Sequence, residues 1–142
     1  GLSLVAIKAI LAGGATPHRL GLSETILIFA EHRAFLDRQS AAETIDRVHR
    51  TAPEKKIVVE VSSLDEALTW AAAGADVIQT EKFSVDDLSA LSLRLTASGY
   101  QTLVAAAGGI NAGNAAAGAD ILVTSAPYSA PPLDVAVRIE AA

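Results

Sequence analysis

The sequence predicts an α/β fold on a mostly parallel sheet, and three observations carry that prediction. The segment Ala71 to Thr80 returns as Ala115 to Thr124, with an offset of 44 residues from Gly74 to Gly118. Ser40 with Glu43, Ser63 with Glu66 and Ser84 with Asp87 stand at capping-box spacing and mark helix starts. Short apolar runs of strand length separate the helical stretches. In each copy of the repeat a helix ends, glycine takes the left-handed position beyond it, and a buried strand begins at once. One period therefore covers two βα units of roughly 22 residues, a common size in parallel α/β architecture.

The elements follow in order. Leu2 to Leu11 reads as a helix with no strand ahead of it. The apolar runs Thr25–Phe29, Ile57–Val61, Ala75–Thr80, Thr102–Ala107 and Ala119–Thr124 read as buried strands. Leu133–Ile139, which alternates less cleanly, reads as a sixth, and Pro127, Pro131 and Pro132 mark the loop before it. The helix after Ser63 places Leu64, Ala67, Leu68 and Ala71 on one face; the helix after Ser84 does the same with Val85, Leu88, Leu91 and Leu95. Only Gly108 to Gly118 joins two parallel strands, where a crossover normally takes a dozen or more residues, so its helix is predicted either to be very short or to lack a turn in this chain. A complete eight-stranded barrel takes about 250 residues. The 142-residue chain is therefore expected to be one domain, 1–142, and a piece of a larger protein.

Composition narrows the function. Apolar residues make up 51% and aromatics 4%, which suits close packing of small and branched side chains. A net charge of -5 argues against a nucleic-acid surface. The absence of cysteine excludes disulfides and thiolate metal sites. No apolar run reaches the roughly 18 residues of a membrane span, and no signal peptide is visible, so a soluble cytoplasmic protein is expected.

In parallel α/β folds chemistry gathers at the carboxyl ends of the strands. Glu60 interrupts an apolar strand, and a buried carboxylate is costly unless it meets a partner, a metal or a ligand hydroxyl; the plain structural reading is a partner within the core. Glu81 and Lys82 end the next strand, as solvated charges or as ligand contacts. Gly108-Gly109 and Thr124-Ser125 close two neighbouring strands with small, donor-rich residues, a pattern suited to phosphate; a tight turn is the simpler use of the glycine pair. His18 and Arg19 lie side by side after Pro17, ahead of the first strand, either as loop charges or as a grip on a carboxylate. His32 follows a strand end, His49 sits in a polar helix end, and Trp70 reads as packing.

Taken together, these residues resemble a known family. His18-Arg19-Leu20-Gly21-Leu22-Ser23 with Leu27-Ile28-Phe29 is similar to the His-Arg segment of quinolinate phosphoribosyltransferases. The order continues through Val59-Glu60-Val61, Ala73-Gly74-Ala75-Asp76, Gly108-Gly109-Ile110 and Ser129-Ala130-Pro131-Pro132-Leu133-Asp134. Ala12-Gly13-Gly14-Ala15, Ser23-Glu24-Thr25 and Thr124-Ser125-Ala126-Pro127-Tyr128 resemble most closely the ModD branch, found with molybdenum-transport genes. The resemblance implies part of a TIM-like α/β barrel of the type II phosphoribosyltransferases, here without the N-terminal sandwich domain. It implies transfer of phosphoribosyl from phosphoribosyl pyrophosphate, with Mg2+, to a carboxylated nitrogen heterocycle, in a homodimer or larger assembly. By similarity His18, Arg19 and Lys82 bind substrate. Glu60 and Glu81 steady the cationic sugar and meet Mg2+. Gly108, Gly109, Thr124 and Ser125 bind phosphate.

Departures qualify the substrate. Phe29 replaces the lysine of the family's Leu-Ile-Lys segment, which implies a smaller or less charged acceptor than quinolinate. Glu81 stands for an aspartate, Lys82 for an asparagine, Ala107 for a serine and Tyr128 for a histidine. A second expectation is therefore a non-catalytic protein that binds a phosphate or oxyanion ligand and is linked to molybdenum uptake.

Overall fold

The computed structural model describes residues 2–18, 24–36, 39–111, 113–115 and 118–129. Its elements are α1 (Leu2–Ala12), β1 (Thr25–Ile28), α2 (Ala30–Arg33), α3 (Ala41–Thr51), β2 (Lys56–Val61), α4 (Leu64–Ala72), β3 (Val77–Glu81), α5 (Val85–Ala97), β4 (Leu103–Ala107), β5 (Ile121–Leu122) and α6 (Ala126–Ser129). The five strands lie in sequence order, β1-β2-β3-β4-β5, and every neighbouring pair is parallel. With the right-handed crossovers that parallel strands demand, such an order carries every connecting helix to the same face. That is the winding of a barrel arc rather than of a doubly wound sheet.

The core confirms it. Ile28 of β1, Ile57, Val59 and Val61 of β2, Ile78 of β3 and Val104 and Ala106 of β4 share one buried cluster with Ile45 of α3, Ala67, Trp70 and Ala71 of α4, and Leu88, Leu91 and Leu95 of α5. Strand side chains alternate between faces, so the intervening residues Val58, Glu60, Gln79, Glu81, Ala105 and Ala107 point the other way. Glu60 faces Gln79 across the β2–β3 ladder, and Glu81 faces Ala107 across β3–β4.

Local chemistry sets the boundaries. Ser40 and Glu43 form a reciprocal box, with the Ser40 N–H donating to Glu43 at 2.8 Å, and Ser84 and Asp87 do the same. At α4 only half of the expected box forms. Ser63 Oγ accepts from the Glu66 N–H, whereas the Glu66 carboxylate turns to the Ser62 N–H and to Arg33. Val85 is exposed rather than in the α5 face, because it occupies the helix's first position, beyond the reach of the sheet.

The repeat also has a structural meaning. Gly74 and Gly118 both adopt positive φ, at 98° and 67°. The aspartate two residues later clamps the preceding strand: Asp76 accepts from the Ile57 N–H and Asp120 from the Val104 N–H, each at 2.8 Å. Because Asp76 and its own N–H are engaged with Ile57, ladder pairing starts at Val77 rather than at Ala75. The fifth strand is shorter than its sequence suggests, two residues against a predicted six, and lies at the edge of the described sheet. The short crossover before it is closed by side-chain amides: Asn111 and Asn114 both donate to the Gly109 carbonyl, and Gly113 N–H donates to Asn111. The predicted strand Leu133–Ile139 lies outside the described residues. Among the described residues no helix is long and apolar enough to cross a membrane.

Candidate active site

All five strands run the same way, so their carboxyl ends share one rim. Glu60 is the penultimate residue of β2 and Glu81 the last of β3; Gly108 follows β4, and Thr124 and Ser125 follow β5. Glu60 is held from both sides. Its carboxylate accepts from Gln79 Nε2 at 3.0 Å, and its main-chain carbonyl accepts from Arg33 Nη1. Arg33 also donates to Glu66 at 3.3 Å and lies over the Trp70 ring, 5.8 Å from its centre. The sheet rim is thereby pinned to α4 by a planar cation that stacks and bonds at once.

The end of β3 is conformationally unusual. Lys82 has φ of 59°, a left-handed backbone rare for a side chain of this kind. Gly108, itself at φ 78°, packs against this turn. A Cβ there would stand 2.8 Å from Lys82 Cγ and 2.9 Å from the Glu81 carboxylate carbon. Lys82 Nζ lies 3.4 Å from Glu81 Oε1. Gly108 is thus required by close approach as well as by its φ, and the Glu81 carboxylate sits directly over the Gly108-Gly109 turn.

Gly108, Gly109, Thr124 and Ser125 line one cleft of ≈ 410 Å³, together with Ala107, Ile110, Val123 and Ala126. Thr124 Oγ1 donates to the Ile110 carbonyl at 3.0 Å and accepts from the Ala126 N–H at 3.1 Å, which locks the two loops to each other. A second hollow adjoins it. His18, with Thr16 and Pro17, shares it with Thr124, Pro127 and Tyr128. Thr124 belongs to both, so the segment bearing His18 reaches the same rim as the late-strand loops. Arg19 lies outside the described residues.

Two other histidines are placed elsewhere. His32 accepts from the Phe29 N–H through Nδ1 at 3.1 Å and caps α2, and His49 is exposed on α3. Arg33 and Gln79 escaped the sequence reading. Arg33 is one charge among several after a strand, and nothing local marks its contact with a residue 27 positions away. Gln79 carried a signal, since an amide inside an apolar strand has the same burial problem as Glu60.

Among the described residues no three His, Cys, Asp or Glu side chains gather into a metal cage. Magnesium commonly binds through one or two carboxylates plus substrate phosphates and its own waters. Glu81, beside the glycine turn, fits that second arrangement and not a resident cage.

Comparisons with known proteins agree with this architecture. Residues 1–138 match the family model described as quinolinate phosphoribosyl transferase, C-terminal domain. The chain is 47% identical over 116 residues to a Rhodobacter capsulatus protein named "Putative pyrophosphorylase ModD", covering 82% of this chain and 44% of that one. It is 40% identical over 147 residues to the protein of the same name from Escherichia coli O157:H7, covering 100% of this chain and 52% of that one. Among solved structures, a NadC deletion mutant superposes with a TM-score of 0.79 at 27% identity, covering 94% of this chain and 48% of that one. The chain therefore spans about half the length of the curated relatives it matches.

Proposed function

We propose that this chain, which belongs to the quinolinate phosphoribosyltransferase family, supplies the barrel part of a site that transfers phosphoribosyl from phosphoribosyl pyrophosphate to a nitrogen heterocycle. The observation that carries the reading is the meeting of Gly108-Gly109 with Thr124-Ser125 in one cleft, with the Glu81 carboxylate against Gly108. Glycine N–H groups and hydroxyls are suited to the 5-phosphate, since the backbone can approach closely and needs no reorganisation. The carboxylates of Glu81 and, deeper in the sheet, Glu60 face the position where the sugar develops positive charge.

The reaction is a displacement at the anomeric carbon. The acceptor nitrogen's lone pair forms the new C–N bond while the C–O bond to pyrophosphate breaks, and pyrophosphate departs with the electron pair. The transition state has oxocarbenium character, so fixed negative charge close by is the main device for lowering its energy. Mg2+ carried by the pyrophosphate would be held by Glu81 and would neutralise the leaving group. His18 and Arg19 are assigned to a carboxylate of the acceptor. Phe29 follows β1 at the same rim, beside His32 with ring centres 5.5 Å apart, and favours an acceptor without a second acidic group there.

The test uses the full-length protein that contains this segment. Phosphoribosyl pyrophosphate binding and pyrophosphate release are measured across a panel of heterocyclic acids. Glu81→Gln is expected to cut turnover on the order of a hundredfold, with donor affinity changing far less. Donor binding without release for any acceptor would instead support a non-catalytic sensor of phosphorylated ligands, and absence of donor binding would end the transferase reading.

A further inference from the structure

On the face of the sheet turned away from the helices, Gln79 is only 6% exposed, yet among the described residues its carbonyl Oε1 has no hydrogen-bond partner. The amide cannot simply be turned around. Its Nε2 donates to Glu60 Oε2 at 3.0 Å, and an ionised carboxylate only accepts, so the nitrogen must face Glu60 and the oxygen must face away. Its register neighbour on the other side is Ala105, which has no side-chain donor to offer, and Val58, two residues before Glu60, is equally apolar. Two residues further toward the rim, on the same face, stands Glu81. Buried amide oxygens in native proteins nearly always have a partner, supplied by the protein, an ordered water or a bound ligand.

We propose that Gln79 is a ligand-contacting specificity residue: Oε1 accepts a hydrogen bond from an O–H or N–H of the bound small molecule, while Nε2 fixes the Glu60 carboxylate. This rests on the transferase reading above for the identity of the ligands. The shared chemistry is a donor hydrogen, from a ribose hydroxyl of phosphoribosyl pyrophosphate or from an N–H of the heterocycle. One side chain thereby couples recognition of the ligand to the placement of the carboxylate. A ligand that carries that donor pairs the oxygen and is preferred over one that leaves it unpaired.

Two substitutions in the full-length protein separate the possibilities. Gln79→Met keeps the length and removes both polar atoms; Gln79→Lys keeps a donor for Glu60 and removes the acceptor, while adding a positive charge beside the carboxylate. Affinities for phosphoribosyl pyrophosphate and for each acceptor are measured by calorimetry, alongside thermal unfolding without ligand. Both variants should weaken binding by about tenfold to a hundredfold. A loss confined to the phosphoribosyl donor identifies a sugar hydroxyl, and a loss confined to the acceptors identifies the heterocycle. Unchanged affinities in both variants, or full recovery by lysine, would overturn the contact. If the wild type binds neither ligand, the transferase reading fails and unfolding decides. A stability loss in Gln79→Met no larger than in Glu60→Met, which removes the same contact from its other side, supports an oxygen that waits for a ligand, and a larger loss makes Gln79 a structural residue and overturns the inference.

Discussion

The two copies of the Gly-Ala-Asp segment begin alike and end differently. Both open on a left-handed glycine, and both use aspartate to clamp the strand before them. In the first copy the strand then runs for five residues between two partners, and Ile78 and Thr80 are fully buried. In the second copy the strand lasts two residues at the sheet edge, Ile121 and Leu122 stay exposed, and the threonine matching Thr80 becomes Thr124 at the rim of the cleft. Near-identical local sequence thus makes core in one place and a cleft-lining loop in the other. The surroundings decide: α4 and α5 cover the first copy, whereas the second follows a crossover held by asparagines.

The strongest way to break this pairing is at Gly108, where the end of the first copy's strand meets the loop that leads to the second. Gly108→Ala places a methyl against Glu81 and Lys82 and forces a non-glycine residue to positive φ. It should cost about 1–2 kcal/mol in stability and abolish most turnover of the full-length protein. Wild-type activity in that variant would remove the glycine turn from the site.

Asp76→Ala, away from the cleft, has the largest effect on stability alone. It strips the partially buried Ile57 N–H of its partner and also breaks the 2.6 Å contact with Lys56, for a loss of about 2–3 kcal/mol in urea unfolding. Asp120→Ala leaves only the Val104 N–H unpaired, because Leu103 occupies the place of Lys56, and should cost about 1 kcal/mol. Equal losses would mean that the two clamps do not differ as the geometry says.

Acid sharpens the same contrast. Burial would raise the Asp76 pKa, but the Lys56 ammonium and the Ile57 N–H outweigh it and hold the carboxyl below its usual value of 3.8. A carboxylate with a depressed folded-state pKa adds stability above its unfolded pKa, and that contribution disappears as pH falls through the folded one. The stability difference between wild type and Asp76→Asn should therefore be constant near neutrality and shrink below about pH 4. A gap that widens on acidification would contradict the sign. Smallest of all, Lys56→Leu copies the second clamp into the first. With Lys56 mostly exposed, it should cost no more than about 1 kcal/mol, and salt should diminish the effect.

Much of this was legible in the chain because it is local. Ser40 and Ser84 announce their helices through contacts three residues away, and Gly74 ends α4 through backbone freedom. Strand ends could be placed within one or two residues, so Glu60, Glu81, Gly108 and Thr124 fall on one rim as their positions imply. What stayed hidden depends on distance along the chain. Glu66 abandons its box because Arg33, 33 residues earlier, competes for its carboxylate. Gln79 looks like an interruption until its register with Glu60 shows what it holds. The two-residue length of β5 was not legible either, since apolar content alone suggested six residues.

The grip of Arg33 has one electrostatic consequence. The guanidinium spends its donors on a main-chain carbonyl and on Glu66, so it fixes the position of Glu60 without forming an ion pair with it. Gln79, which does touch the Glu60 carboxylate, is neutral. Firmness of placement and charge pairing are thereby kept apart: among the described residues Glu60 is held by a cation through its backbone and by an amide through its side chain, and by an ion pair with neither.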